Sequence, residues 1–355
     1  MKKSILVSLT AFLFLSISKN SYAFQEKYKQ AYKIATQFLA EEQIPGMSIS
    51  VSHKGKIIWS EGFGFANLKE QLKVIPNSTQ FRIASISKTL TAAAMAKLVD
   101  DGKLDFDESL YTYVPDFPKK KYDFTIRQLG GHIAGIRHYK GNEFLLNKKM
   151  SIVEGLDVFK DSPLLFKPGT NYKYSTYGWN LLSVVVQNAS GVDYIEYMKD
   201  NIFIPLNMQN TSLDFSDKEI PNRTLFYMKR NGKVMIGPKV SNEFKAAGGG
   251  FIATSEDLIR FGNEIINPTI LSKKSISELV RTQKTSSGRD TKYGIGFRVE
   301  KIKNTTRYSH TGGGVGASAY LLMYPDKDIV ISIVTNLSGV NIRKLGSGLE
   351  NVFIE

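Results

Sequence analysis

Three short stretches of this sequence hold side chains that can carry out acyl transfer. The first is Ser85-Ile86-Ser87-Lys88. Where such a stretch opens a helix, residues i and i+3 share a face, so the Lys88 amine lies beside the Ser85 hydroxyl. A serine hydroxyl is a weak nucleophile until an adjacent group takes its proton, and Lys or Tyr can do so. A helix N-terminus adds positive potential that favours developing negative charge. The same four letters recur at Ser16-Ile17-Ser18-Lys19, inside an apolar leader, so placement rather than pattern singles out Ser85. The second stretch is Tyr174-Ser175-Thr176, just after Pro168-Gly169-Thr170. It opens a predicted helix containing Trp179, where a phenolate would be favoured. Taken alone, one of 17 tyrosines reads equally well as a core residue. The third stretch, His310-Thr311-Gly312-Gly313, ends a predicted strand and runs into Gly314. Its glycines would let a substrate backbone lie close and would expose an N–H for an oxyanion hole.

These residues need elements to hold them, and the patterning supplies candidates. Tyr28 to Ala40 reads as a helix stopped by Pro45-Gly46. Met47, Ile49 and Val51 alternate with Ser48, Ser50 and Ser52, the period of a half-buried strand. His53-Lys54-Gly55 turns it into a second strand from Lys56. Ser85 to Asp101 reads as a long amphipathic helix with Leu90, Ala94 and Leu98 in one stripe, stopped by Gly102. Prolines then punctuate short helical runs, including Trp179 to Asn188 and Tyr194 to Asn201. Gly248-Gly249-Gly250 ends this region, and Thr254 with Asp257 predicts a capping box for a helix through Ile266. The remainder predicts strands at Tyr293–Val299, Thr306–His310, Ala317–Tyr324 and Ile329–Val334, then a helix over Asn341–Phe353. Strands at both ends with helices between them predict an α+β fold: a sheet region of about 24–104 and 245–355, and a helical region of about 105–244.

The order and spacing of the three stretches match the Ser-x-x-Lys, S-D-N-type and K-T-G elements of serine β-lactamases and penicillin-binding proteins. More closely, the chain resembles the class C β-lactamase-like branch and, within it, the LACTB-like serine hydrolases. The resemblance also runs through Phe81–Thr89, Thr125–Leu129, His132–Tyr139, Phe166–Gly191 and Gly248–Phe261. It implies a β-lactamase/transpeptidase-like fold, an antiparallel sheet flanked by helices with the site between sheet and helical region. It implies that Ser85 is acylated, that Lys88 and Tyr174 move its proton, and that the Ser85 and Gly313 N–H groups form an oxyanion hole. It implies substrate binding by His310, Thr311, Gly312, Gly313 and Thr176. Two positions depart from the family pattern. Thr176 stands where Asn is usual, and His310 stands where Lys often provides a fixed charge near a substrate carboxylate. An imidazole of ordinary pKa, about 6.5, would offer that charge only in acid. His132 and Arg137 read as structural; the role of His138 is open.

Composition bounds the rest. Met1-Lys2-Lys3, an apolar run from Ile5 to Ile17 and the end Ser21-Tyr22-Ala23 predict a signal peptide over residues 1–23, with secretion to a periplasm-like compartment. The apolar run is shorter than the roughly 20 residues of a spanning helix, so stable membrane insertion is not expected. The net charge of +14 is carried by scattered lysines with no aromatic-interleaved stripe, which argues against nucleic acid as a partner. With no cysteine, disulfides and thiolate chemistry are excluded. Neither H-x-H nor H-E-x-x-H occurs among the four histidines, so no metal or other cofactor is expected. The sequence thus predicts a serine hydrolase of a peptide, a D-amino-acid peptide, a cell-wall-derived or β-lactam-like substrate. A carboxylesterase is the alternative enzyme, and a filament-forming homo-oligomeric scaffold that keeps the fold is the alternative of another class.

Overall fold

The computed structural model describes residues 25–302 and 304–354; the leader expected at 1–23 lies outside them. A helix α1 (25–41) precedes strands β1 (Gly46–His53), β2 (Lys56–Asn67) and β3 (Leu72–Lys73). Strand β4 (Phe81–Arg82) and a 3-10 turn, Ala84–Ile86, lead into α2 (Ser87–Asp100). The helical region holds α3 (Leu110–Tyr113), α4 (Ile126–Gly130), α5 (Thr176–Ser190) and α6 (Tyr194–Met198). It also holds β5 (Ser212–Leu213) and a hairpin, β6 (Tyr227–Arg230) and β7 (Lys233–Ile236), which sequence patterning did not reveal. The chain continues with β8 (Phe251–Ala253), α7 (Ser255–Ile266), α8 (Lys273–Val280), β9 (Arg298–Ile302) and β10 (Thr305–Gly314). It closes with β11 (Ala317–Tyr324), β12 (Ile329–Thr335) and α9 (Ile342–Phe353).

Seven strands form one sheet in the order β3-β2-β1-β12-β11-β10-β9, with antiparallel neighbours throughout. The two ends of the chain meet at its centre, where Met47 pairs with Thr335 and His53 with Ile329. Side chains alternate between faces as a strand requires. Leu321, Met323, Val330 and Val334 pack towards the helical region with Leu90 and Leu258. Tyr320, Leu322, Ile331 and Ile333 pack the other way, with Phe38, Leu345 and Leu349. The sheet is therefore a buried middle layer, and its architecture is the expected α+β one.

Four local expectations change for identifiable reasons. Strand β1 is buried on both faces rather than one. Its alternate serines are satisfied by helix α7: Ser48 and Ser50 each bond the Ser255 hydroxyl at 2.7 Å, and Ser52 donates to Asn263 at 2.7 Å. Small hydroxyls give the same sequence period as a wet face, yet here they are a polar seam between layers. Helix α2 is buried nearly all round, not along one stripe, because it runs through the middle of the helical layer. Residues 294–297 bend instead of forming a strand, with Gly296 at φ 83 backed against Ala92 and Trp179. The Thr254 cap is present, its hydroxyl accepting from Asp257 N at 3.0 Å. The Asp257 carboxylate turns away to Asn210 N and Thr211 Oγ1, so only half of the capping box forms.

Candidate active site

The 3-10 turn before α2 carries Ser85. Its shape is imposed from both sides. Ala84 is held at φ 45, a left-handed conformation unfavourable for a residue with a Cβ. The turn is fixed by Ile83 N donating to Phe251 O at 3.1 Å and Phe251 N donating to Ser87 Oγ at 3.2 Å. Strand β10 presses against it so closely that a Cβ on Gly312 would sit 2.1 Å from the Ile83 carbonyl oxygen. Gly312 is therefore a packing residue and lines neither cavity described below. A Cβ on Gly313 would meet nothing within 4 Å, and this is the glycine that opens onto the site.

Lys88, one helical turn on, is fully buried. Its Nζ donates to Ser85 Oγ at 3.1 Å, to Thr176 Oγ1 at 3.3 Å and to the Gly248 carbonyl. No carboxylate within ion-pair reach offsets the cost of its burial among the described residues, and desolvation pushes its amine well below the ordinary lysine value. The acceptor from Gly248 comes from a wide turn, Ala246–Gly250. A Cβ on Gly248 would meet Thr176 Cγ2 at 2.5 Å and Asn180 Oδ1 at 2.7 Å. The run of three glycines was the available signal for this approach, and sequence reasoning took it only as the end of a region.

Tyr174 stands immediately before the N-cap of α5, Ser175, whose hydroxyl accepts from Gly178 N at 3.0 Å. The Lys88 ammonium lies 5.0 Å from the centre of its ring. Burial raises the phenol above its ordinary value, opposed by a hydrogen bond with Ser85. His132 packs against Tyr174 at a ring separation of 4.3 Å, and its Nδ1 accepts from Ser175 N at 3.2 Å. Its Nε2 is buried without a partner among the described residues and the ring lines neither cavity described below, so His132 supports Tyr174 by packing. Arg137 is structural too: its guanidinium reaches both Glu143 oxygens at 2.7 and 3.0 Å and Ser162 Oγ at 2.9 Å. His138, left open by sequence reasoning, accepts from Thr176 N at 3.1 Å through Nδ1, which leaves the proton on Nε2.

Two cavities meet at Ser85, Tyr174 and Gly313. One, of about 440 Å³, lies beside Thr176 and is walled by His138, Tyr139, Phe144, Val240 and Lys245. The other, of about 380 Å³, contains His310 and Thr311 and is walled by Tyr172, Tyr293, Arg298 and Arg343. His310 does not match the expected acid-switched cation. Its Nδ1 lies 2.7 Å from the Thr311 carbonyl and must carry the proton; its Nε2 then accepts from the Tyr293 hydroxyl at 2.8 Å. Burial, with Lys88 nearby, pushes its pKa down to about 3, so it stays neutral across the working range. Positive charge in this cavity comes from Arg298 and Arg343, neither ion-paired among the described residues, and sequence reasoning passed over both.

The arrangement can take a proton from Ser85 onto a buried amine, with a phenol and a glycine-edged strand on the opposite side. The β-lactamase family model matches residues 32–344. The serine beta-lactamase-like protein LACTB, mitochondrial, of Homo sapiens is 32% identical, with 84% of this chain and 74% of that protein covered. The octameric penicillin-binding protein homologue from Pyrococcus abyssi superposes at a TM-score of 0.79 with 24% identity, covering 92% of this chain and 76% of that one. The D-amino acid amidase from Ochrobactrum anthropi SV3 superposes at 0.79 with 20% identity, covering 92% and 98%. This chain belongs to the β-lactamase family of serine hydrolases, with its likeness to LACTB spanning most of its length.

Proposed function

We propose that this protein cleaves an amide or ester bond through an acyl-enzyme on Ser85, after export under its leader. The observation that carries the reading is the buried Lys88 amine 3.1 Å from Ser85 Oγ, with no carboxylate to hold its charge. In its neutral form the amine takes the Ser85 proton as Oγ attacks the carbonyl carbon. The Ser85 and Gly313 N–H groups receive the resulting oxyanion. The leaving amine or alcohol departs with the proton, relayed through Lys88 and Tyr174. Water, deprotonated by the same pair, then breaks the Ser85 ester. His310 and Thr311 shape the second cavity, and Arg298 and Arg343 favour substrates with an anionic group on that side. Peptide, D-amino-acid peptide and cell-wall-derived amides fit this chemistry, with a carboxylesterase as the alternative. The relative named as octameric supports testing for a homo-oligomer.

The test is intact-mass analysis after exposure to a fluorophosphonate and to a β-lactam. One adduct on the wild type and none on Ser85→Ala is the expected result. Turnover of any good substrate by Ser85→Ala would overturn the mechanism, and a mature chain that keeps Met1 would overturn the export. Comparing kcat/KM for an amide and its matched ester separates the two enzyme readings.

A further inference from the structure

Lys245 is a buried cation that the reaction above does not use. It is 5% exposed, on a 3-10 turn Glu243–Lys245, and lines the cavity beside Ser85 and Thr176. Its Nζ donates to the carbonyl of Phe144, which lines the same cavity, at 3.2 Å, and lies 5.2 Å from the centre of the Phe244 ring. No carboxylate pairs with it among the described residues. Asp214, the nearest candidate, is taken by Arg82 at 2.6 Å, Arg223 at 2.9 Å and Asn242 at 2.8 Å. Glu243 Oε1 accepts from Ser216 N and Oγ at 2.8 and 2.6 Å, and its buried Oε2 makes no hydrogen bond to Lys245 or to another described residue. Neither Asp nor Glu lines the cavity; Arg82, His138 and Lys245 do.

A buried ammonium held by one carbonyl and the face of Phe244 remains short of acceptors, and an arriving anion supplies them. Two residues lining this cavity keep donors without an acceptor among the described residues: Lys245, through its remaining Nζ hydrogens, and His138, through Nε2–H, its other nitrogen being occupied by Thr176 N. Around them Phe144, Val240, Val315 and Ala317 add apolar surface, beside the polar Asn242 and Thr176. An aliphatic chain ending in acceptor oxygens satisfies both halves of this surface.

We propose that Lys245 is a specificity-determining residue that selects substrates whose acyl group ends in a carboxylate. The inference rests on the acyl-enzyme reading above and adds to it the class of acyl group. The test uses two p-nitrophenyl esters of equal chain length, the hexanoate and the hydrogen adipate, on the full-length mature protein. Ser85→Ala serves as the blank for spontaneous hydrolysis. The wild type is expected to favour the adipate in kcat/KM, and Lys245→Met to lower the adipate-to-hexanoate ratio roughly 10- to 100-fold, the range of a charge-assisted hydrogen bond. Lys245→Arg is expected to keep most of the preference. A ratio unchanged in Lys245→Met overturns the proposal. Should that variant fail to fold, a wild type preferring the hexanoate overturns it equally. Unreduced turnover of both esters by Ser85→Ala removes the hydrolase reading instead, and the inference with it.

Discussion

Asp214 offers a sharp test of how the nucleophile is held. It sits 1% exposed between Arg82 and Arg223 and accepts from Asn242 as well. Arg82 is the last residue of β4, three positions before Ser85, and its guanidinium also reaches the Val315 carbonyl at 2.9 Å beyond Gly313. One carboxylate thus ties together the approach to the nucleophile, the end of β10 and the wall containing Lys245. Asp214→Ala leaves Arg82 buried without its partner, a lesion that costs about 3–5 kcal/mol. The unfolding entropy of globular chains, about 2.1 cal/mol/K per residue, gives about 0.75 kcal/mol/K for 355 residues. The expected fall in Tm is therefore about 4–7 °C. Asp214→Asn, which keeps shape and hydrogen bonding but not charge, should fall less. Calorimetry measures the stability, and the rate of Ser85 labelling on folded protein measures the displacement of the turn. A Tm within about 1 °C of wild type for Asp214→Ala would refute the argument, because no ordinary surface substitution costs more than that.

Other outcomes follow from the same geometry. Lys88→Ala and Tyr174→Phe should each lower acylation by roughly 10²–10⁴, and the double variant should lose far less than the product; stopped-flow labelling measures this. Because burial lowers Lys88 in the folded state and the amine must be neutral to act, kcat/KM should rise with pH along a limb below the ordinary lysine range. Over that window the unfolded chain binds the extra proton, so stability should also rise with pH, and Lys88→Met should flatten the slope of urea midpoint against pH. His310, held near 3, should contribute no inflection between pH 5 and 8, and profiles of wild type and His310→Gln compared in that range check it. Gly312→Ala should destabilise by about 1–3 kcal/mol and slow labelling, since its Cβ cannot coexist with the Ile83 carbonyl; thermal melts and labelling rates read both.

What could be read from the sequence was the local chemistry. Spacing alone puts Lys88 beside Ser85, although Ser85 sits on the 3-10 turn before α2 and not on the helix itself; the α7 cap and the hairpin at Lys54-Gly55 follow from residue type. The strands at Ala317–Tyr324 and Ile329–Thr335 follow from apolar runs long enough to be buried on both faces. What could not be read depends on neighbours distant in the chain. Arg298 and Arg343 line one cavity because α9 packs on β11 and β12, strands that lead on to β10 and β9 in the sheet. The state of His310 is set by Tyr293 and by burial, which no spacing encodes. The serines of β1 imitate an exposed face because a hydroxyl facing Ser255 and one facing water leave the same letter in the sequence.

The pairing of β1 with β12 has a consequence in time. The centre of the sheet is a contact between segments separated by nearly the whole chain, and neither half can bury its apolar face without the other. Loop closure on that scale must precede any reward from the pairing, so the barrier to folding is largely a search cost. Synthesis delivers β1 long before β12. Until then Met47, Ile49 and Val51 have no partner strand on that side, and the growing chain has reason to stay unfolded or to be held by a chaperone. Once β12 arrives, its pairing with β1 closes the centre of the sheet.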